Sequence, residues 1–375
     1  MMNLVRINFD VVKETILEDN KMRKLITYFS MVISAALLGV STVSAGEIPE
    51  TQVTVIGTNS TVRHAVIPEK RFWNETLPKI TNGKITANYN NMDLMGIKGF
   101  QVLRLLKAGV TDFGSSDVSK LAGDNAAFEG CDLAGLALDV NAARAICDAW
   151  KPTMDRIMQK QFNTKLLATG ANPPQVFWCR DPINQLSDLK GRKIRVFNKT
   201  MSDFVNAVGG TTISMAFAEV VPALQRGVVD CAVTGTTSGN SAGWTEVSDY
   251  IYPMYLGWSV GFQGVNLDSW NRLGPDAQRA LIDGFKLLED DLWATVAVSA
   301  SQADNCNTGK DPCDYGKKAK MTIAPVKDAD KGLHKELMEN VVLVEWGKRC
   351  GKDCVVEWNN TIGKVVGMAI PLDKI

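Results

Sequence analysis

The sequence predicts an α/β chain folded as two domains, with a hinge between them and one long helix bridging both. Three observations predict it. Short strands and helical stretches alternate from residue 52 to about 114, and the alternation resumes from 175 to 233. A helical pattern then runs from Asp276 to about Ala303, long enough to brace two domains. The 375 residues, 45% of them hydrophobic, suffice for two ordinary cores. The expected boundaries are 46–173 with 263–302 for the first domain and 174–262 with 303–375 for the second.

Before the first strand, Met22-Arg23-Lys24 leads an apolar run from Leu25 to Val40, and Val43-Ser44-Ala45 follows. These are the charged, apolar and small-residue regions of a secretory signal peptide. A buried helix or a membrane anchor is the competing reading, but the run is short for a span and broken by Thr27, Ser30 and Ser34. Residues 22–45 are read as the signal, cleaved after Ala45, and residues 1–21 as an over-extended start. The working protein is therefore expected in the periplasm, beginning near Gly46.

In the first domain, Gln52–Gly57 reads as a strand ending in a glycine turn, Val66–Ile80 as a helix and Ile85–Asn90 as a strand. Gly99–Ala108 is helical, and Val110–Gly114 is a third strand. The second domain begins with Gln175–Cys179, then a turn at Ser187-Asp188-Leu189, a strand from Lys193 to Phe197, and a helix from Ser202 to Val208 closed by Gly209-Gly210. Thr212–Met215 is a strand, Phe217–Gln225 a helix that stops at Gly227, and Val228–Val233 the next strand. Pro275 opens the long helix, whose stripe is Leu281, Ile282, Phe285, Leu288 and Leu292. A final helical pattern spans Lys327–Trp346.

Forty-one basic residues balance 41 acidic ones, with no polybasic run, which removes the electrostatic case for nucleic-acid binding. No glycine-rich phosphate cradle or calcium loop is present, and no cofactor is expected. Eight cysteines behind a signal peptide favour disulfides; proximity suggests Cys131–Cys147, Cys179–Cys231, Cys306–Cys313 and Cys350–Cys354. A zinc site would lack paired C-x-x-C motifs and have only His64 and His334 to draw on, so no metal is expected.

The strand Gly191-Arg192-Lys193-Ile194-Arg195-Val196-Phe197 places Lys193 and Arg195 on one face and Ile194 and Val196 on the other. In a helix-covered parallel sheet Arg195 needs a buried or cleft-bound anionic partner. Ligands in such sheets are met beyond the carboxyl ends of the strands. Thr58-Asn59 and Ser115-Ser116 stand there too, as ligand contacts or as caps and turns.

From Leu186 to Asp230 the order and spacing of Asp188-Leu189-Lys190-Gly191-Arg192-Lys193-Ile194-Arg195-Val196, Gly209-Gly210, Met215-Ala216-Phe217-Ala218-Glu219-Val220 and Ala223-Leu224-Gln225-Arg226-Gly227-Val228-Val229-Asp230 closely resemble the solute-binding proteins of tripartite ATP-independent periplasmic (TRAP) transporters, the C4-dicarboxylate-binding type. Weaker similarity at 77–83 and 105–112 extends the likeness to most of the mature chain. The resemblance implies a two-domain solute-binding fold that closes on a small organic acid and delivers it to small and large permease subunits. It implies that Arg195 grips the ligand carboxylate and that Phe217 lies beside the ligand. Thr234 stands where many members carry asparagine, and Gln175 lies nearest the place of an additional arginine in sialic-acid-type members. Both departures count against a dicarboxylate or a sialate.

Trp244, Tyr252, Tyr255, Trp258 and Phe262 cluster after the motif; they are core and hinge packing or, with Trp258 foremost, the wall for an apolar or aromatic acid. The alternative from another class is a serine esterase. Gly239-Asn240-Ser241-Ala242-Gly243 fits G-x-S-x-G, and Asp249 or Asp291 and then His334 follow in hydrolase order. Against it, a threonine-, serine- and glycine-rich loop is expected between the strand ending near Thr234 and Ser241, where a nucleophile elbow needs a direct turn.

Overall fold

In the computed structural model, which describes residues 48–375, the strands are β1 (Thr51–Gly57), β2 (Ile85–Asn91), β3 (Phe113–Asp117), β4 (Thr164–Gly170), β5 (Gln175–Cys179), β6 (Lys193–Val196), β7 (Thr211–Ser214), β8 (Cys231–Gly235), β9 (Tyr250–Tyr252), β10 (Gly261–Asn266) and β11 (Thr322–Ile323). The leader and start site read from the sequence lie outside the described residues. One sheet runs β2-β1-β3-β10-β4 and the other β11-β9-β5-β8-β6-β7. In the first, β1 is parallel to β2 and β3, while β10 is antiparallel to β3 and β4. In the second, β6 lies between β7 and β8 and is parallel to both. This is the α/β architecture in two lobes that the alternating elements predict.

The departures in detail have local causes. The first helix begins at Arg63, keeps Pro68 inside it, and passes through a wide turn at Phe72–Thr76 before ending at Ile80. Phe72 and Trp73 from that wide turn are buried against Phe285 of the long helix. β3 starts three residues later than expected. The Asp112 carboxylate accepts the Thr54 amide at 2.8 Å and the Ser269 hydroxyl at 2.6 Å, so the edge ahead of β3 is occupied by side-chain bonds. The helix Val140–Phe162 has no counterpart in the sequence reading, and it carries Pro152 inside it. Asp139 caps its start by accepting from Asn141 and Ala142, and Asn163, with φ 47°, ends it.

Two strand crossovers join the lobes, 171–174 between β4 and β5 and 253–260 between β9 and β10. They run side by side: Leu256 N–H donates to Gln175 O and Gln175 N–H to Gly257 O, at 2.8 and 2.9 Å. Asn172 of the first donates its amide to Trp258 O and its Nδ2 to Ser259 O in the second. Buried Asp132 then accepts Trp258 N–H at 2.7 Å and Val260 N–H at 3.2 Å. Gly257 has φ +113°, and a Cβ there would meet Asp132 Oδ1 at 2.7 Å, so the crossover needs glycine for both conformation and space.

The third connection is the long helix, Gly274–Thr308, roughly 50 Å at 1.5 Å per residue. Its first half packs on the first lobe through Leu281, Phe285, Leu288 and Leu292. Its second half holds the other lobe, with Ser299 O accepting Thr237 Oγ1–H and Asn307 bonded to Asn240 and Thr236 O. The C-terminal helices touch both lobes as well. Trp346 and Trp358 donate their indole N–H groups to Ala126 O and Gly130 O, while Arg349 pairs with Asp203 at 2.8 Å.

Disulfides join Cys179 to Cys231, Cys306 to Cys313 and Cys350 to Cys354, as proximity suggested. Cys131 and Cys147 differ. Their sulfurs are 3.0 Å apart and both residues are buried, but they remain thiols, since a bond requires about 2.05 Å.

Burial gives the crossover latch a pH signature. Desolvation pushes the Asp132 carboxyl from an ordinary 3.8 up to about 7, opposed by the two crossover amides and reinforced by the negative charges of Asp117 and Glu129. An acid whose folded pKa is raised contributes stability that is fully present below about 3.8 and lost as pH rises through about 7. Measured by urea midpoints from pH 5 to 8, the stability of the protein relative to Asp132→Asn is expected to fall as pH rises, by a few kcal/mol, at about 1.4 kcal/mol per pKa unit. Parallel pH profiles for the two proteins would contradict this.

Candidate functional site

Arg195 lies mid-strand on β6, and because both neighbours of β6 are parallel the side chain has no wet face to turn to. It is 1% exposed. Nε and Nη2 donate to Met215 O at 3.2 Å each, and Nη1 donates to Val233 O at 2.8 Å. The guanidinium also sits 5.2 Å from the Phe197 ring centroid and 5.8 Å from that of Trp244. Among the described residues no carboxylate pairs with it. Burial lowers its pKa to about 9, opposed by the charges of Asp117 and Glu219, so the group stays cationic at neutral pH.

A guanidinium carries five N–H donors in a planar fork. Three are used on the two carbonyls, which leaves one on each terminal nitrogen. That pair is the set a carboxylate accepts with both oxygens.

Around Arg195 the lobes enclose about 150 Å³, lined by Asn59, Asp93, Ile97, Lys98, Phe100 and Lys120 of the first lobe and by Phe197, Met215, Phe217 and Glu219 of the second. A smaller compartment of about 30 Å³ adds Thr58, Asp117, Asn172, Gln175, Thr234 and Ser238. The main space is well below the ~300–1,000 Å³ of sites for drug-sized molecules, so it suits a small guest. Its other cations are matched within the protein, Lys98 by Glu219 at 2.7 Å across the two lobes and Lys120 by Asp117, while Asp93 accepts the amide and hydroxyl of Ser60.

The structure brings Thr58, Asn59, Gln175, Phe217 and Thr234 to these compartments with Arg195. Ser115 and Ser116 line a separate small cavity with Glu69 and Gln263, and Ser116 Oγ donates to Gly99 O. Trp258 is not part of the lining. It belongs to the crossover core, its indole N–H held by Ala137 O, because Asp132 fixes the backbone at that point. Phe197, Lys120, Asp117, Asn172 and Ser238 are lining residues that the sequence reading passed over. Phe197 was legible, since it shares the face of Arg195 two positions along the strand.

The esterase geometry is absent. A helix, Thr236–Ser241, follows β8 directly where a loop was expected, and Ser241 lies at its far end, not at the turn. Its hydroxyl donates to Thr61 O at 2.8 Å, while His334 Nε2 is 2.7 Å from Tyr255 O. A larger groove of about 740 Å³ runs between the crossover and the C-terminal helices, lined by Met254, Tyr255, His334 and Met338. Its lysines are already matched, Lys331 by Asp328 and Lys335 by Glu339, so the unmatched cation marks the cleft around Arg195.

The sequence matches the model of bacterial extracellular solute-binding protein family 7 over residues 56–343. The chain belongs to this family. As a family 7 solute-binding protein it is a receptor and not an enzyme, and the esterase alternative finds no support. The C4-dicarboxylate-binding periplasmic protein DctP of Rhodobacter capsulatus is 27% identical over 219 residues, 55% of this chain and 62% of that one. An uncharacterised Haemophilus influenzae protein is 26% identical over 239 residues, 63% of this chain and 71% of its own. Among solved structures, DctP7 of Bordetella pertussis, an extracytoplasmic solute receptor binding pyroglutamic acid, superposes with a TM-score of 0.75 at 20% identity, covering 84% of this chain and 99% of that one. A TRAP solute-binding protein from Desulfovibrio salexigens with bound orotic acid gives 0.74 at 19% identity, with 84% and 99% covered. One from Shewanella oneidensis with bound succinate gives 0.73 at 17%, with 85% and 99% covered. These likenesses carry the two-lobed fold of family 7 to this chain.

Proposed function

We propose that the protein is the periplasmic receptor of a TRAP transporter, which closes on a small organic acid and hands it to the small and large permease subunits. The observation that carries this reading is Arg195: a buried cation with no acid partner among the described residues and one N–H left on each terminal nitrogen. Such a charge is costly to desolvate, and a guest carboxylate offsets that cost with two charge-assisted hydrogen bonds. Phe217 and Phe197 supply an apolar wall, and Thr58, Asn59, Gln175 and Thr234 supply polar contacts to the rest of the guest. Guest contacts with both lobes favour the closed form, and that form is the one the membrane subunits receive. The solved relatives whose names mention pyroglutamic acid, orotic acid and succinate are consistent with an acid as cargo. The leader at 22–45 accounts for export.

A thermal-shift panel on the mature chain tests the proposal, using small carboxylic acids, neutral sugars and metal cations. An acid at about 100 times its dissociation constant stabilises the folded state by about 2.7 kcal/mol. Stabilisation by acids alone is the expected result; a response to sugars or cations and to no acid would overturn it.

A further inference from the structure

We infer that this cleft is built for a guest with one negative charge and discriminates against dicarboxylates, and that Asp117 sets this preference by neutralising Lys120. The inference rests on the carboxylate reading above and adds the charge of the guest.

Three cations line the cleft: Lys98, Lys120 and Arg195. A dicarboxylate needs two of them free. Lys98 is held by Glu219 at 2.7 Å, and Glu219 is itself fixed by accepting the Ala216 amide at 3.0 Å. Lys120 is held by Asp117 in a pair whose side chains are only 14% and 15% exposed. Asp117 is kept in place from its other oxygen, which accepts Asn172 Nδ2–H at 3.1 Å, and Asn172 is anchored in turn to Ser259 O in the crossover. Turning Lys120 toward a guest would strand a largely buried Asp117 carboxylate beside it, which is costly in a weakly solvated site. Only Arg195 is unmatched.

The geometry also makes Lys120 the cation that a second carboxylate would reach first. Its ammonium lies 5.8 Å from the Phe197 ring centroid, and the Arg195 guanidinium lies 5.2 Å from the same centroid, so the matched charge and the unmatched one adjoin a single ring. Both residues line both compartments. Asp117 therefore acts as a specificity residue through Lys120, without holding the guest itself. Selectivity of this kind works by leaving the wrong guest's second charge without a partner.

Titration calorimetry on the mature protein tests this with pyroglutamate, orotate and benzoate as single-charge probes and succinate and malonate as double-charge probes. At least one single-charge acid is expected to bind tenfold or more tightly than either dianion. In Asp117→Asn, whose amide oxygen still accepts the Asn172 bond, Lys120 is released, and the ratio of dianion to monoanion affinity is expected to rise at least tenfold. Adding Lys120→Met to that variant removes the released charge and should cancel the rise, which a merely structural role for Asp117 would not produce. A wild-type protein that binds succinate or malonate as tightly as every single-charge probe overturns the inference and leaves the carboxylate reading standing. An unchanged ratio in a folded Asp117→Asn protein also overturns it. Binding of none of the five acids removes the carboxylate reading and this inference together.

Discussion

Replacing Arg195 with methionine is expected to weaken acid binding by roughly 30-fold or more and leave the fold intact. Methionine keeps an unbranched apolar stem in place of the arginine's, beside the Phe197 and Trp244 rings, so most of the packing survives. The variant frees Met215 O and Val233 O, which lose the guanidinium as donor, at about 1 to 3 kcal/mol for each carbonyl left unsatisfied. Against that stands the desolvation of a cation with no acid beside it, the same effect that lowers its pKa to about 9, and this penalty disappears in the variant. Binding has no such offset. Truncating one partner of a buried, hydrogen-bonded charge pair costs about 2 to 5 kcal/mol, or roughly 30-fold to several thousandfold in affinity. Calorimetry with any acid found in the thermal-shift panel measures the loss, and circular dichroism checks the fold. Affinity within threefold of wild type would remove Arg195 from the site.

Removing the Cys179–Cys231 disulfide is expected to have the largest effect on stability. The two residues face each other across antiparallel β5 and β8, with a sequence separation of 52, and both are fully buried. Chain-entropy arithmetic for a loop of that length gives about 4 kcal/mol, against about 2 kcal/mol for loops as short as those closed by the other two bonds. The double variant Cys179→Ala with Cys231→Ala should therefore melt roughly 10 °C lower, and reduction of the other two disulfides should shift it less. Calorimetric scans of each variant decide the order. Equal shifts for all three bonds would contradict the loop-length account.

The parts of the fold legible in the sequence were those with a local signal. Glycine turns and alternating strands marked the two runs of elements, and the apolar stripe of Leu281, Phe285, Leu288 and Leu292 marked the bridging helix. What stayed hidden depends on contacts distant in sequence. The helix Val140–Phe162 carries Pro152 in its interior, which local rules disfavour and its burial against β4 and the C-terminal helices overrides. The polar run Thr236–Ser241 looked like a loop, yet all six residues are buried and the segment is clasped by Thr61, Ser299 and Asn307. In the site, Arg195 was legible because its strand demanded a partner for it. The pairing of Lys120 with Asp117 was not, since whether a charge is free depends on where a side chain three residues away points. Trp258 misled for the same reason: density of aromatics along the chain does not say which lobe surface they cover.

The position of β10 has a consequence for how the molecule is made. It lies inside the first sheet, between β3 and β4, yet it is contributed by residues 261–266, after five of the six strands of the second sheet. A nascent chain that has emerged only as far as β5 therefore lacks an interior strand of its N-terminal half, along with the helix that covers it. The first sheet is therefore complete only when residues up to 266 have been made, and its covering helix only when residues up to 308 have followed.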